Sequence, residues 1–468
     1  MYIYICIYVM CGITGILYNT IHNGLEIYES LLSIQHRGQD GAGICCMNNQ
    51  VNMIKKSGLI NNLCSYNELL QMNARIFLAH TRYKTNNIQN SFQPFHLQNS
   101  KLNMTFCHNG NIINTNQIID ILCNKYHITN ENEVSDSYLL FQLIFHYLNE
   151  DIHTHICEDN IVRLSNFLHE NVEGSYSLIL GIENYGLIAM KDKYGIRPLI
   201  YGKNENNDIL ISSESCSVNN ISRYNICRDI NPGETYVFMY NQKEYTYQYE
   251  KSVFSPCLFE YIYFSRLDSI VNKISIYTCR YMLGVLLGKI IMKDQLDVDF
   301  IIPTPETSRV YAYGMSKIMN VPIQECIIKN RYINRTFIIE NKNKIEENIK
   351  RKFSVIKEIV KDKKALLIDD SIVRGNTSKN IIKLLRDSGI KEVIFCSAAP
   401  KIHNTNNYGI FIEKKEELIT YNNKSSEEIA ASIGANKIYY NSLEDINALI
   451  YDLNPYIKQM ETSMFQDN

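Results

Sequence analysis

The segment that most constrains the fold of this chain is 365–378, which reads ALLIDDSIVRGNTS. Its four leading apolar residues predict a short buried strand, and Asp369 and Asp370 follow at the end of that strand. A loop of small residues comes next. Apolar residues at helical spacing after Ser378, closed by Gly389, then predict a helix. A strand that passes through a loop into a helix indicates an α/β domain with a parallel sheet.

The composition of this segment suits a sugar phosphate. Free backbone N–H groups and hydroxyls at a helix N-terminus bind phosphate, and the paired carboxylates suit ribose hydroxyls or Mg²⁺, a cation that prefers oxygen ligands. A solvated acidic turn is the alternative. The segment resembles the 5-phosphoribosyl 1-pyrophosphate (PRPP) motif of type I phosphoribosyltransferases. The resemblance implies a PRPP site made by Asp369, Asp370, Ser371, Gly375, Asn376, Thr377 and Ser378.

A second candidate site is Cys11, which begins the sequence CGITGI. If Cys11 were the first residue, its own α-amine, with a pKa of about 7.7–8, could take the proton of its thiol at neutral pH. The segment resembles the start of class II glutamine amidotransferases, members of the N-terminal-nucleophile hydrolase superfamily. Residues 1–10 are then a propeptide, or translation starts at Met10, and the sequence leaves both routes open. A structural buried cysteine is the alternative.

Further motifs follow in the order of the glutaminase family. A planar guanidinium suits a carboxylate, and the resemblance implies that Arg82 and Thr85 hold the carboxylate of glutamine. It also implies that Asp136 pairs with the α-amino group of glutamine. The side chain of Asn109 and the N–H of Gly110 supply the two donors that an oxyanion hole requires. The alternatives are an ordinary Asn-Gly turn and an ordinary helix cap at 135–137.

The second half carries another specific segment, 257–269, which resembles the domain junction of the glutamine PRPP amidotransferase family. Membership would make Thr307 a Mg²⁺ contact beside Asp369 and Asp370. The basic and aromatic segment 329–338 is then a mobile lid over the leaving pyrophosphate, with Lys329, Arg331 and Tyr332 as PRPP-binding residues. A solvated basic loop is the alternative for this segment.

The resemblance extends from Cys11 to about Phe465 and implies two domains. Residues 11–250 form an α+β N-terminal-nucleophile αββα sandwich, and residues 251–468 form an α/β type I phosphoribosyltransferase domain with a parallel sheet. The implied reaction converts glutamine, PRPP and water to 5-phosphoribosylamine, glutamate and pyrophosphate, the first committed step of purine biosynthesis. Mg²⁺ is the implied cofactor. Purine nucleotide inhibitors and a homo-oligomer, a dimer or a tetramer, are the implied partners.

Charge and cysteine usage exclude several other classes. The net charge of -2 gives no electrostatic basis for binding nucleic acid or an acidic membrane surface, and residues 1–10 are too few to span a bilayer. The fourteen cysteines contain no Cys-x-x-Cys pair, which favours a reducing, cytoplasmic location. Some family members hold an iron–sulfur cluster on four cysteines. Here Cys257 matches the first position but Asn407 stands at the second, so we expect no cluster.

Two other functions remain open from the sequence. A different class II amidotransferase, such as the glucosamine-6-phosphate type, would share the first half but would lack the acidic pair and the loop at 375–378. A PRPP-sensing protein without enzymatic activity would need neither Cys11 nor the motifs at Arg82, Asn109 and Asp136.

Overall fold

The computed structural model describes residues 11–48, 50–83, 92–128, 134–153, 155–330, 352–409, 412, 414–422 and 424–467. The strands of the first half are β1 Gly12–His22, β2 Gly41–Met47, β3 Val51–Ser57, β4 Ala74–Arg82, β5 Phe95–Gln98, β6 Asn103–Ile112, β7 Gly174–Ile182, β8 Gly186–Lys191, β9 Ile200–Lys203, β10 Ile209–Ser212, β11 Asn225–Asp229, β12 Glu234–Met239 and β13 Glu244–Gln248. Its helices are α1 Leu25–Ser33, α2 Tyr66–Gln71, α3 Thr115–Tyr126, α4 Asp136–Asp151, α5 Glu158–Asn171 and α6 Ser215–Asn219.

These strands form two antiparallel sheets that pack face to face. One has the order β11-β9-β10-β1-β4-β2-β3 and the other the order β13-β12-β8-β7-β6-β5. Because side chains alternate along a strand, each sheet sends one set of apolar residues to the other sheet and one set to a helical layer. Helices α1, α2 and α6 cover the first sheet, and α3, α4 and α5 cover the second. The predicted αββα sandwich is confirmed.

The second half is built on a parallel sheet. Its strands are β14 Ile270–Val271, β15 Ile274–Ser275, β16 Phe300–Pro303, β17 Ile327–Lys329, β18 Phe353–Val355, β19 Lys364–Asp369, β20 Glu392–Ser397 and β21 Lys437–Tyr440. Its helices are α7 Ile276–Met292, α8 Arg309–Met319, α9 Lys357–Val360, α10 Asn376–Asp387, α11 Ser426–Ile433 and α12 Leu443–Leu453, and a π-helical turn, Glu260–Phe264, precedes them. Strands β16, β19, β20 and β21 pair in parallel in that order, with helices on both faces. The predicted α/β fold of this half is confirmed.

Helices α7 and α8 pack with their backbones in direct contact. A Cβ atom on Gly284 of α7 would lie 2.1 Å from the carbonyl oxygen of Tyr311, and one on Gly314 of α8 would lie 2.0 Å from the carbonyl oxygen of Tyr281. Glycine at both positions therefore sets the distance between the two helices.

The two halves contact each other through backbone groups as well as side chains. The N–H of Ser255 donates to the carbonyl of Tyr194 over 2.8 Å, and the hydroxyl of Ser175 donates to the carbonyl of Tyr408, also over 2.8 Å. Within the described residues, no helix is both long and apolar enough to cross a bilayer.

Candidate active sites

Cys11 immediately precedes β1 and lies next to the C-terminal end of β4, the antiparallel neighbour of β1 in the first sheet. Gly12 pairs with Thr81, which brings Cys11 alongside Arg82. Burial of the thiol raises the pKa of Cys11 above its usual value, although a hydrogen bond from the backbone N–H of Tyr83 and the positive charge of Arg82 oppose this shift. A thiol in this position needs a nearby base before it can act as a nucleophile at neutral pH.

Asn109 lies inside β6, where it pairs with Ser177. It shares a strand face with Cys107, whose side chain packs between the two sheets and whose thiol interacts electrostatically with Cys11. The Nδ2 atom of Asn109 is buried and has no hydrogen-bond partner among the described residues. A buried amide without a partner is costly, so this group is a donor that a bound carbonyl or oxyanion could satisfy.

Gly110 follows Asn109 on the same strand, with a φ of 157°. A Cβ atom there would lie 2.0 Å from the carbonyl oxygen of Ser175 and 2.7 Å from Nε2 of His108. Only glycine fits this position. The Asn-Gly pair is not a turn, because both residues belong to the β6 ladder with β7.

Two charges of opposite sign, those of Arg82 and Asp136, act on the thiol of Cys11. Asp136 is the first residue of α4, after the N-cap Ser135, and its Oδ2 accepts a hydrogen bond of 3.0 Å from the N–H of Ile112. Arg82 is buried, which lowers the pKa of its guanidinium, while the charges of Cys11, Asp40 and Asp136 raise it. Together a guanidinium and a carboxylate can bind the carboxylate and ammonium of an amino acid. Thr85 lies outside the described residues.

The acidic pair lies at the carboxyl end of β19, the edge of a parallel sheet where ligands bind in α/β folds. The hydroxyl of Thr307 donates to Oδ2 of Asp370 over 2.6 Å, and the hydroxyl of Ser308 donates to Oδ1 of Asp369 over 3.0 Å. Ser371 donates from its hydroxyl to the other oxygen of Asp370 over 2.6 Å. The structure therefore brings together the acidic pair, Thr307 and Ser371.

Both carboxylates are buried. Burial and the neighbouring Asp370 raise the pKa of Asp369 well above its usual value. Burial also raises the pKa of Asp370, opposed by Ser371, Thr307 and the charge of Arg280. Two buried carboxylates beside hydroxyl oxygens are a donor set that fits Mg²⁺, which binds through one or two carboxylates together with substrate phosphates. Among the described residues, no group of three or more His, Cys, Asp and Glu side chains could hold a metal.

The predicted phosphate loop leads into α10. Gly375 caps this helix with a φ of 75°, and a Cβ atom there would lie 2.4 Å from Cδ1 of Ile419. Both observations require glycine. Asn376 and Thr377 open the first turn of this helix, and Ser378 is buried within it. The N–H groups of a first turn have no acceptor within their own helix, and here they lie at the same end of the sheet as the acidic pair.

Lys329 ends β17, which pairs with β18 as a two-stranded ribbon. The ribbon is continued by a hydrogen bond of 2.8 Å from the N–H of Asn330 to the carbonyl of Lys352. Arg331 and Tyr332 of the predicted lid lie outside the described residues. Lys329 is half-buried at the base of that segment.

Two polar residues near the sites, Thr304 and Arg37, were not predicted from the sequence. The hydroxyl of Thr304 is buried beside the acidic pair's strand and has no partner among the described residues. The Nε of Arg37 donates to the carbonyl oxygen of Cys11 over 3.2 Å. Thr304 belongs to the same PTPETS segment as Thr307, so the strand end could have indicated it. The contact of Arg37 depends on the tertiary fold and has no local signal.

Comparison with known proteins places each half in a described family. A glutamine amidotransferase domain matches residues 80–220, and a phosphoribosyl transferase domain matches residues 283–409. These matches lie within the two predicted halves.

Curated relatives match nearly the whole chain. The amidophosphoribosyltransferase of Pasteurella multocida is 34% identical over 467 residues, covering 97% of this chain and 92% of that protein. The amidophosphoribosyltransferase of Escherichia coli is 34% identical over 469 residues with the same coverage. A solved structure of glutamine PRPP amidotransferase from B. subtilis, complexed with ADP and GMP, superposes with a TM-score of 0.82 at 28% identity and covers 97% of this chain and 94% of that one.

Proposed function

This chain belongs to the amidophosphoribosyltransferase family, and from that premise we propose which of its residues carry out the two half-reactions. It is an enzyme of purine biosynthesis, a glutamine amidotransferase joined to a pentosyltransferase that uses PRPP. The sequence left two other functions open, a glucosamine-6-phosphate-type amidotransferase and a PRPP sensor. Neither explains why amidophosphoribosyltransferases match both halves of the chain. The observation that supports our residue assignment best is the buried amide of Asn109, whose Nδ2 has no partner among the described residues.

The glutaminase step begins once Cys11 is the first residue. Its α-amine takes the thiol proton, and the sulfur attacks the carboxamide carbon of glutamine. Asn109 Nδ2 and the N–H of Gly110 donate to the oxyanion that forms, while Arg82 and Asp136 hold the two charged ends of the amino acid. The C–N bond breaks, and ammonia leaves with the proton. Water then hydrolyses the thioester, which releases glutamate and restores the thiol.

The transferase step takes place at the carboxyl end of β19. The phosphate of PRPP binds at the N-terminus of α10, through the loop of Ser371 and residues 375–378, and Asp369 and Asp370 orient the ribose. Ammonia attacks C1 with inversion, the bond from C1 to the pyrophosphate oxygen breaks, and the new amine then releases one proton to water. Asp369, Asp370 and Thr307 would hold Mg²⁺, which supplies charge neutralisation to the pyrophosphate. Lys329, with Arg331 and Tyr332, neutralises the leaving group and excludes water.

We extend the proposal to four further properties. Purine nucleotides regulate the enzyme, and the B. subtilis structure complexed with ADP and GMP supports this. The protein is cytoplasmic, for which the thirteen described cysteines, all free, are the support. It works as a homo-oligomer. The division of the chain into residues 1–10, 11–250 and 251–468 also remains part of the proposal.

The test is to measure the intact mass and N-terminal sequence of the purified protein together with pyrophosphate release from PRPP. We expect a chain that begins at Cys11 and releases pyrophosphate with glutamine or with ammonia. A Cys11→Ala variant should keep only the ammonia-dependent activity. Full glutamine-dependent activity in that variant, or in a chain that retains residues 1–10, would overturn the role of Cys11.

A further inference from the structure

Four buried charged side chains meet where the two halves join. Arg37, Arg197 and Glu214 come from the first half and Glu260 from the second, and each is at most 2% exposed. We call them the junction cluster. Buried charges are costly unless they are paired in good geometry, so the arrangement of these four groups is strongly fixed.

Arg37 is the member of the junction cluster that reaches the nucleophile. Its Nη1 is paired with Glu214, its Nη2 donates to Oε1 of Glu260 over 2.9 Å, and its Nε donates to the carbonyl oxygen of Cys11 over 3.2 Å. Two carboxylates thus fix the plane of the guanidinium, and its Nε–H is directed at the backbone of Cys11.

Glu260 is itself anchored in the second half. Its Oε2 accepts a hydrogen bond of 3.0 Å from the hydroxyl of Ser265, and its backbone N–H donates to the carbonyl of Cys257 over 3.2 Å. Its Oε1 also lies 3.4 Å from Nη1 of Arg197. The carboxylate therefore takes its position from the π-helical turn Glu260–Phe264 and transmits that position to Arg37.

A first residue has unusual freedom, because no peptide bond restrains it on the amino side. If Cys11 is the first residue, the hydrogen bond to its carbonyl oxygen restrains the orientation of its α-amine, together with the hydrogen bond from the N–H of Tyr83 to its thiol. The following residue is held in the ladder of β1 and β4, where Gly12 pairs with Thr81. Small misplacements of a nucleophile reduce rates strongly, by about 100-fold for 1 Å.

We propose that Glu260 is a positioning residue for the glutaminase reaction: it holds Arg37 so that the guanidinium fixes the backbone of Cys11. A side chain of the transferase half would then set the geometry of the glutaminase nucleophile. This inference rests on the proposed role of Cys11. Glu214 has a different part, because it also binds His36, the N–H of Arg266 and the hydroxyl of Ser269 and so holds several elements together.

The experiment compares Glu260→Gln with Glu234→Gln in the full-length protein. Glu234 is a suitable control because it is also buried and paired with an arginine, Arg228 at 2.6 Å, and among the described residues that pair makes no contact with Cys11. For Glu260→Gln we expect kcat with glutamine to fall about 10- to 100-fold, with the KM for glutamine within about 3-fold of wild type and the ammonia-dependent rate unchanged. Alkylation of Cys11 by iodoacetamide should slow in parallel. The control should retain all four values.

Each result decides the question. An unchanged kcat with glutamine in Glu260→Gln would overturn the inference, and so would equal losses with glutamine and ammonia, which indicate a purely structural role. If Glu260→Gln does not fold, Arg37→Lys replaces it. That variant keeps the positive charge but loses the guanidinium, whose separate N–H groups contact both carboxylates and the carbonyl of Cys11. A wild-type rate with glutamine in Arg37→Lys would overturn the inference. Cys11→Ala in the same assays separates the two hypotheses, because glutaminase activity there would refute the nucleophile itself.

Discussion

Thr307 and Asp370 are joined by a hydrogen bond of 2.6 Å from the hydroxyl to Oδ2 of the carboxylate, which links the ends of two neighbouring parallel strands. Asp370 and Asp369 are buried side by side, and their pKa values are raised. The folded pair therefore binds more protons than the unfolded pair above a pH of about 3.9, so the stability it contributes at low pH is lost as the pH rises through the folded pKa values. At neutral pH the burial of this pair therefore lowers the stability of the metal-free protein.

We therefore expect Asp370→Asn to raise the melting temperature of the metal-free protein at pH 7.5 and to abolish the increase that millimolar Mg²⁺ gives the wild type. Transfer from PRPP should be lost. Thermal unfolding in EDTA and in Mg²⁺ measures both effects, and Asp299→Asn, a surface change at an ion pair with Lys363, is the control. A Mg²⁺-dependent increase that persists in Asp370→Asn would contradict the metal assignment.

Asn109→Ala should lower kcat with glutamine by about 100- to 1,000-fold, the effect of removing one oxyanion donor. The ammonia-dependent rate should not change, because the transferase site lies in the other half. Steady-state pyrophosphate release with each nitrogen donor measures the ratio. Asn103→Ala, on the same strand but hydrogen-bonded to Glu183 instead, is the matched control. Equal losses in the two variants would argue against the oxyanion role.

Gly110→Ala should both destabilise the first half and abolish glutamine hydrolysis, because its Cβ would overlap the Ser175 carbonyl. Gly58→Ala is a matched control, since that glycine also has a positive φ, 98°, but no atom within 4 Å of its Cβ. The control should cost only about 1 kcal/mol. Urea unfolding of the two variants tests the difference, and a similar cost at both positions would mean that the backbone near Ser175 gives way.

Acid should destabilise the protein through its buried histidines. Burial lowers the pKa of His80, of His108 and of His169, the last to about 4. Below a pH of about 6.5 the unfolded chain binds protons that the folded chain does not, so each histidine removes ~1.4 kcal/mol of stability per pH unit. His169→Gln should reduce the slope of unfolding free energy against pH between 6.5 and 4. His153→Gln, at an exposed position, is the control, and equal slopes would refute the assignment.

Secondary structure was predicted correctly where it depends on residues that are neighbours in the sequence. The strand predicted from the apolar residues 365–368 occurs at Lys364–Asp369, and the helix predicted around Ser378 occurs at Asn376–Asp387.

Contacts between distant residues were not predictable from pattern alone. Thr307 and Asp370 are 63 residues apart, and only the family resemblance placed them together. Arg37 and Glu260 are 223 residues apart. A lone arginine or glutamate in a sequence most often indicates a solvated side chain, and nothing in the periodicity of either segment indicates that both are buried and paired. The roles assigned to the individual site residues remain predictions.

The glycine contact between α7 and α8 also bears on the transferase site. Arg280, four residues before Gly284, donates to the carbonyls of Tyr261 and Ser265, and its charge opposes the rise in the pKa of Asp370 that burial causes. Helix α8 begins directly after Ser308, which holds Asp369. One methyl group at either glycine would push these two helices apart. The electrostatic potential at the acidic pair would then change although no residue of the site itself had been replaced. Variation at Gly284 or Gly314 would therefore alter substrate affinity in a protein whose proposed PRPP-binding residues are all intact.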